Sequence, residues 1–308
     1  IKDFFSFKGE TTVHLNMGLN LLLGINGSGK TPFINAFRLL YEGVCGLGFE
    51  HLFQKEWGGF NDVVNANGEN QAETIELTYV FDCNKLKSLV PKSPFKNDVF
   101  YHVVIHPMGQ SSYMLEEKLY VENLKDPHQP YVYLDFKNER GKLTVYHSTG
   151  IKTEAFAGDT SGQELILRQI NDPRRYLPLH TIRSAVSQMA LYESFNTSSL
   201  SEVRKPVISS SEIRLSTSAS NLVSVLNNLK TEDSFELKKI QNCLQTINSS
   251  FEEFYIQNFG SRLYLSLIEK KLRHSIGIKF ISDGTLQYII LSTILLNRSE
   301  EHTSELQS

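Results

Sequence analysis

Residues 19–31 read LNLLLGINGSGKT, so that a short apolar run leads directly into a glycine-rich loop. Residues 24–31 fit the pattern G-x-x-x-x-G-K-[ST], which binds nucleotide phosphates, and we call them the phosphate loop. The apolar run at 19–23 is typical of a strand that is buried on both faces. From Lys30 onward apolar residues recur at helical spacing, and Gly43 suits a helix C-cap. The stretch therefore predicts a strand, a phosphate loop and a helix in immediate succession.

Each residue type in the phosphate loop has a physical reason to be there. Glycines let the backbone curl around a phosphate with its N–H groups pointing inward, where a Cβ would clash. The Lys30 ammonium reaches the β- and γ-phosphates, and the Thr31 hydroxyl binds Mg²⁺. Pro32 departs from the usual pattern because it has no N–H to offer a phosphate. We expect ATP and Mg²⁺ as cofactors, with these nucleotide-binding residues: Gly24, Asn26, Gly27, Ser28, Gly29, Lys30 and Thr31.

The rest of the chain predicts a mainly β segment followed by helices. Between residues 74 and 145, short alternating runs separated by Pro, Gly, Asn and Asp predict an antiparallel sheet of hairpins. Helical patterns cover residues 180–192, 221–230 and 235–259, and an apolar helix is predicted at 284–296. Further short strands are predicted at residues 1–7, 11–15, 262–268 and 277–281.

A second motif, ISDGTL at residues 281–286, lies between a candidate strand and the apolar helix. Alone, S-D-G is usually a turn or a helix cap. Together with the phosphate loop, it resembles the signature motif of ABC-type ATPases in the SMC, RecF and OLD-like branch. Residues 4–31, 177–195 and 219–229 also resemble segments of this family. The resemblance covers most of the chain before the tail, although only the first and last motifs are specific.

The resemblance implies an α/β P-loop NTPase, an ABC-type ATPase head, with an inserted antiparallel β sub-domain and helical segments. It implies that two protomers dimerise around ATP. The Ser282 hydroxyl and the N–H groups of Gly284 and Thr285 would then bind the γ-phosphate held by the second protomer. Asp283 belongs to the same motif. Gln188 would be a Q-loop glutamine that touches Mg²⁺, although a lone glutamine on a helix is usually solvated.

The same interpretation of the sequence divides the chain into five segments. Residues 1–45 form the first lobe of the ATPase head, and residues 46–176 form the inserted β sub-domain. A helical segment covers 177–260, and residues 261–297 return to the head with the signature-like motif. Residues 298–308 read RSEEHTSELQS and resemble a translated sequencing-adapter oligonucleotide, so we interpret them as a non-native tail.

The implied function is that of an ATPase whose parent acts in DNA repair or phage defence. In this family a Walker B strand follows the signature helix, and its Asp–Glu pair holds Mg²⁺ and orients the attacking water. No such sequence follows Leu296, so we expect the C-terminal part of the core to be missing. The alternative is a non-hydrolysing, ATP-dependent scaffold or sensor that switches a partner effector protein. A small-molecule or nucleoside kinase fits less well, because ISDGTL at a helix start and the large β insertion argue against it. A transporter ATPase fits less well because the stretch from Thr31 to Ser282 is too long and irregular for a compact head.

Composition limits the partners. A formal net charge of −3 gives no global basic field for nucleic acid, so any DNA contact would need a local basic patch. Three cysteines lie far apart, and neither a membrane span nor a signal peptide is recognisable, which predicts a cytoplasmic protein without a membrane partner. Two basic clusters, which are more often ordinary solvated faces, are the DNA candidates: Arg168, Arg174, Arg175 and Arg183, and Lys270, Lys271, Arg273 and Lys279.

We predict that the chain of 308 residues does not turn over ATP. Phosphoryl transfer to water needs a positioned nucleophile and a metal that is held on both sides of the phosphates. Thr31 supplies only one protein contact to that metal. A multiple-turnover phosphate-release assay checks this, with Lys30→Ala as the control for contaminating ATPases. Phosphate release that Lys30→Ala abolishes would show that a catalytic group in this chain has been missed.

Overall fold

The chain has a mixed α/β fold that divides into two compact units, of which the first ends at Met189 and the second begins at Ala190. The finer division into an ATPase head and inserted segments stays a prediction, and the predicted tail at 298–308 lies outside the described residues. The computed structural model describes residues 1–16, 18–66, 72–123, 129–147, 150–157, 161–170 and 172–297.

A six-stranded antiparallel sheet, with its strands in sequence order, forms the framework of the first unit. This confirms the hairpins predicted between residues 74 and 145. The last strand was not predicted, because its sequence GIKTEAFA has little apolar alternation. The strands are β1 Ile75–Phe81, β2 Val99–Met108, β3 Ser112–Val121, β4 Tyr131–Lys137, β5 Arg140–His147 and β6 Gly150–Ala157.

The helices of the first unit share a hydrophobic core with one face of this sheet. The helix predicted after the phosphate loop is present, but it continues through Gly43 to Val44, so Gly43 is not its C-cap. Instead, a Cβ at Gly43 would lie 2.8 Å from Leu165, so the glycine allows a close helix contact. The helices are α1 Lys30–Val44, a π-helical turn His51–Glu56, α2 Phe60–Val63, α3 Cys83–Leu89, α4 Ile166–Gln169 and α5 Leu177–Ser187.

The segment before the phosphate loop differs from its prediction. The predicted strand at 1–7 forms only isolated bridges, one of them between Lys2 and Glu10, and residues 11–15 form neither a strand nor a bridge. The predicted buried strand at 19–23 is neither a strand nor buried in the described structure. Its three odd-numbered leucines, Leu19, Leu21 and Leu23, are 81%, 73% and 82% exposed. The composition of this run is that of a buried strand, but no described strand pairs with it.

The second unit has a small antiparallel sheet around a central strand. The helix predicted over 235–259 was half wrong, since it ends at Ile247 and residues 251–259 form a strand. FEEFYIQNF is rich in aromatic residues, and its pairing with RLYLSLIE overrides the helical spacing. The predicted helices at 221–230 and 284–296 are confirmed. The elements are β7 Val207–Ile208, α6 Leu222–Glu232, α7 Ser234–Ile247, β8 Phe251–Phe259, the central β9 Arg262–Glu269, β10 Ile276–Gly277 and α8 Asp283–Leu296.

A buried carboxyl ties α4 to the sheet of the first unit. Glu117 on β3 accepts hydrogen bonds from the Tyr101 hydroxyl at 2.5 Å and from the Ile166 N–H at 2.7 Å. Burial raises the pKa of Glu117 to about 7, although the bonds from Tyr101, Ile166 and Leu167 oppose that shift. The charged form of Glu117 is therefore disfavoured in the folded protein.

We predict that the unfolding free energy falls as pH rises from about 4.5 to about 7, because the folded-state pKa of Glu117 lies above its unfolded value of 4.5. At low pH both states are protonated, and the loss is complete once pH exceeds the folded pKa. Over this pH range, the unfolding free energy of the wild type should fall by at most about 3 kcal/mol more than that of Glu117→Gln. Urea denaturation across this pH range measures it, with the exposed Glu122→Gln as the matched control. Parallel pH curves for wild type and Glu117→Gln would contradict the prediction.

Candidate nucleotide-binding site

The backbone of the phosphate loop requires glycine at three places. Gly27 and Gly29 have φ angles of 85° and 93°, which other residues rarely adopt. A Cβ at Gly24 would lie 2.3 Å from the Ser28 Oγ. The pattern fixes Gly24 and Gly29, and the folded backbone favours glycine at the variable position 27 as well.

The Lys30 ammonium folds back over the phosphate loop. It donates hydrogen bonds to the carbonyl oxygens of Gly24 at 2.7 Å and Ile25 at 2.8 Å, and the Ser28 Oγ lies 3.5 Å away. The positive charge is therefore held against the loop. A phosphate at this loop would meet a cation that is already in place.

The start of α1 offers backbone donors beside this charge. The first α-helical bond runs from the Phe33 N–H to the Gly29 carbonyl at 3.0 Å. The N–H groups of Lys30 and Thr31 consequently have no acceptor within the helix, and Pro32 has no N–H. No side chain among the described residues caps this end. Free donors and the helix dipole together favour an anion here.

A cleft of about 590 Å³ lies against the phosphate loop. Its size falls within the range of small-molecule sites. One side consists of Pro32 and five of the predicted residues, Asn26, Gly27, Gly29, Lys30 and Thr31, whereas the predicted Gly24 and Ser28 do not line the cleft. The other residues that line it are Phe5, Ser6, Asp62 and Val64.

The N-terminal segment contributes a wall that the sequence did not predict. The Phe5 N–H donates to the Val63 carbonyl at 2.6 Å, and the Asn65 side chain donates to the Phe5 carbonyl at 2.6 Å. Ser6 follows, and its Oγ would lie 3.3 Å from a Cβ at Gly29. These contacts join distant parts of the chain, and no local pattern around Ser6 signals them.

The cleft suits a metal that arrives with phosphates rather than a preformed metal centre. The described residues contain no group of three or more His, Cys, Asp or Glu side chains that could hold a metal ion. Mg²⁺ usually needs only one or two protein ligands when phosphates and water complete its shell. Thr31 and Asp62 line the cleft and fit that requirement. Gln188 is the C-cap of α5 and is not among the residues that line the cleft, so its contact with Mg²⁺ stays a prediction.

In the second unit, the signature-like motif forms the start of α8. The Ser282 Oγ accepts a hydrogen bond from the Thr285 N–H at 3.2 Å and lies 2.8 Å from the Thr285 hydroxyl. Gly284 is exposed, and a Cβ there would meet no atom within 4 Å. The predicted helix N-terminus is therefore present. A phosphate would have to replace the bonds between Ser282 and Thr285.

The two basic clusters differ in how many of their side chains make hydrogen bonds or ion pairs within the protein. Arg168 donates to the Gly46 carbonyl at 2.8 Å, and Arg183 donates to the Arg168 carbonyl at 3.1 Å. Arg175 pairs with Glu154 at 2.6 Å. Three of the four predicted arginines therefore already make contacts within the unit. In the second cluster all four side chains are exposed: Lys270, Lys271, Arg273 and Lys279.

Comparisons with known proteins leave the site to be interpreted from its own chemistry. No protein-family model matches the chain, and no curated protein matches it in sequence. Among the described residues, every helix is too short or too polar to cross a membrane.

We predict that Pro32→Asn binds ATP more tightly than wild type, because it restores a backbone N–H in the first turn of α1. A hydrogen bond to a charged group contributes about 1.5–3 kcal/mol, and the lower value corresponds to about tenfold in affinity. Calorimetric titration with ATP and Mg²⁺ measures the change. Pro32→Ala restores the same N–H without a polar side chain, so the two variants should agree. Unchanged or weaker binding in both would mean that the proline costs no affinity.

Proposed function

We propose that this chain binds ATP with Mg²⁺ and is the ATP-binding portion of a P-loop ATPase head of the SMC, RecF and OLD-like branch, in which two protomers pair around the nucleotide. The observation that carries the proposal is the phosphate loop itself. Its glycines, the held Lys30 ammonium and the uncapped start of α1 surround one cleft. A polyphosphate is the ligand whose charge and shape match these donors.

The exposed apolar run supports the P-loop NTPase fold within this proposal. In that fold the segment before the phosphate loop is a central strand with a strand on each side. Burying apolar surface contributes about 25 cal/mol per Å², so three exposed leucines favour any arrangement that covers them. We propose that residues 19–23 pair with neighbouring strands of an ATPase core.

The pairing of protomers is supported by the start of α8. A γ-phosphate bound at the phosphate loop of one protomer would accept hydrogen bonds from Ser282 and from the Gly284 N–H of the other. Such a trans contact makes association depend on ATP. DNA repair or phage defence in the cytoplasm is the activity that the family resemblance implies, with DNA or an effector protein as a further partner.

One observation favours a second candidate function, a non-hydrolysing ATP-dependent scaffold or sensor that switches an effector. Asp62 is the one carboxylate among the described residues that line the cleft. ATP hydrolysis by this class needs one carboxylate for the metal and another to orient water. Binding without hydrolysis needs neither, so nucleotide-dependent pairing alone would serve as the switch.

The test of the proposed function is ATP binding by Lys30→Ala. Removing the ammonium should weaken binding at least about tenfold, because a hydrogen bond to a charged group contributes about 1.5–3 kcal/mol. Calorimetry with ATP and Mg²⁺ measures the affinity, and thermal unfolding confirms that the variant is folded. Lys55→Ala removes an exposed lysine from the same unit and should bind as wild type does. Equal affinity for wild type and Lys30→Ala would overturn the proposal.

A further inference from the structure

A buried arginine lies behind the signature-like motif. The side chain of Arg204 is only 4% exposed. Its Nε donates to the Thr197 carbonyl at 2.8 Å, and its Nη1 donates to the carbonyls of Ile278 at 2.6 Å and Ile281 at 2.8 Å. Its Nη2 donates to the Asp283 carboxylate at 2.6 Å. The Arg204 guanidinium therefore donates hydrogen bonds to three carbonyl oxygens and one carboxylate.

Three of these acceptors, on Ile278, Ile281 and Asp283, lie on both sides of the turn that leads into α8. Ile278 begins a 3₁₀ turn that ends at Phe280, and Ile281 directly precedes Ser282, the N-cap of α8. A guanidinium remains charged in proteins and is planar, so it fixes its acceptors in direction as well as distance. The backbone on either side of the turn is thereby fixed relative to the buried arginine.

The Asp283 contact has an electrostatic consequence for anion binding. Asp283 lies in the first turn of α8, beside the N–H groups that would bind a γ-phosphate. An unpaired carboxylate there would repel a phosphate. The nearby Arg204 guanidinium offsets this negative charge at the position where it opposes binding.

We propose that Arg204 is a positioning residue for the anion site at the start of α8. It holds the Ser282 turn in place and offsets the charge of Asp283, so that α8 can accept the γ-phosphate of a nucleotide bound by a second copy of this chain. The inference rests on the proposed function, and it assigns to Arg204 a role in pairing rather than in cis nucleotide binding.

The experiment compares Arg204→Met with Lys205→Met in the full chain. Both variants remove a cation at neighbouring positions, but Lys205 is exposed and pairs only with Glu202 among the described residues. Hydrogen–deuterium exchange of residues 278–286 without nucleotide measures the order of the turn. Sedimentation velocity with ATP and Mg²⁺ measures pairing, and calorimetry measures ATP affinity.

We expect Arg204→Met to speed exchange of residues 278–286 at least tenfold and to weaken ATP-dependent pairing at least tenfold. Its ATP affinity should stay within twofold of wild type, and Lys205→Met should match wild type throughout. Adding Asp283→Asn to Arg204→Met should recover part of the pairing while exchange stays fast, because it removes the repulsion without restoring the contacts. A purely structural role would not give that partial recovery.

Three outcomes overturn the proposal: wild-type exchange and pairing in Arg204→Met, reduced ATP affinity with unchanged pairing, or no recovery in the double variant. If Arg204→Met does not fold, Arg204→Lys decides, because lysine keeps the charge but cannot span four acceptors. Unchanged exchange in Arg204→Lys would then overturn the proposal. If the wild-type chain does not pair with ATP, the proposed pairing fails, and the exchange measurement still shows whether Arg204 holds the turn.

Discussion

The packing of α1 on the six-stranded sheet is the interaction on which the phosphate loop depends. One face of α1 is buried against the sheet, and the Tyr79 hydroxyl on β1 donates to the Ala36 carbonyl at 2.7 Å. Near the other end of α1, Gly43 allows Leu165 to approach closely. Each fully buried leucine contributes about 1.5–3 kcal/mol, which exceeds the cost of about 0.5–1 kcal/mol for a glycine in an ordered segment. The core can therefore hold the start of the helix in a fixed direction.

In both candidate phosphate sites a polar side chain makes hydrogen bonds within its own motif. Lys30 donates to carbonyls of its own loop, and Ser282 accepts from Thr285. A phosphate at the start of α8 must replace the bonds between Ser282 and Thr285, so its net contribution there is a difference between protein–protein and protein–ligand hydrogen bonds. The two sites also differ in charge. The first contains the Lys30 cation. The second contains the Asp283 carboxylate, whose negative charge is offset by the buried Arg204.

Local patterns in the sequence were enough to predict the elements that carry each motif. The phosphate loop, α1, the hairpins and α8 follow from residues that are close in sequence, because turn chemistry and side-chain periodicity act over short distances. Non-local pairing explains the errors. Residues 251–259 have helical spacing but form β8 because a strand follows them, and residues 19–23 have the composition of a buried strand but no described neighbour. Ser6 and Arg204 gave no signal, since their roles depend on contacts with distant segments.

Hydrolysing and non-hydrolysing functions share the same first step, which is why the observed geometry supports both. In the proposed function, binding would use the donors and the cation at the phosphate loop, and pairing would use a second set of donors at the start of α8. Hydrolysis adds two requirements, a carboxylate for the metal and another that orients water in line with the γ-phosphate. Asp62 is the one carboxylate among the described residues that line the cleft with Thr31. A second carboxylate near the γ-phosphate is therefore the feature that separates an ATPase from an ATP-dependent switch built on the same two anion sites.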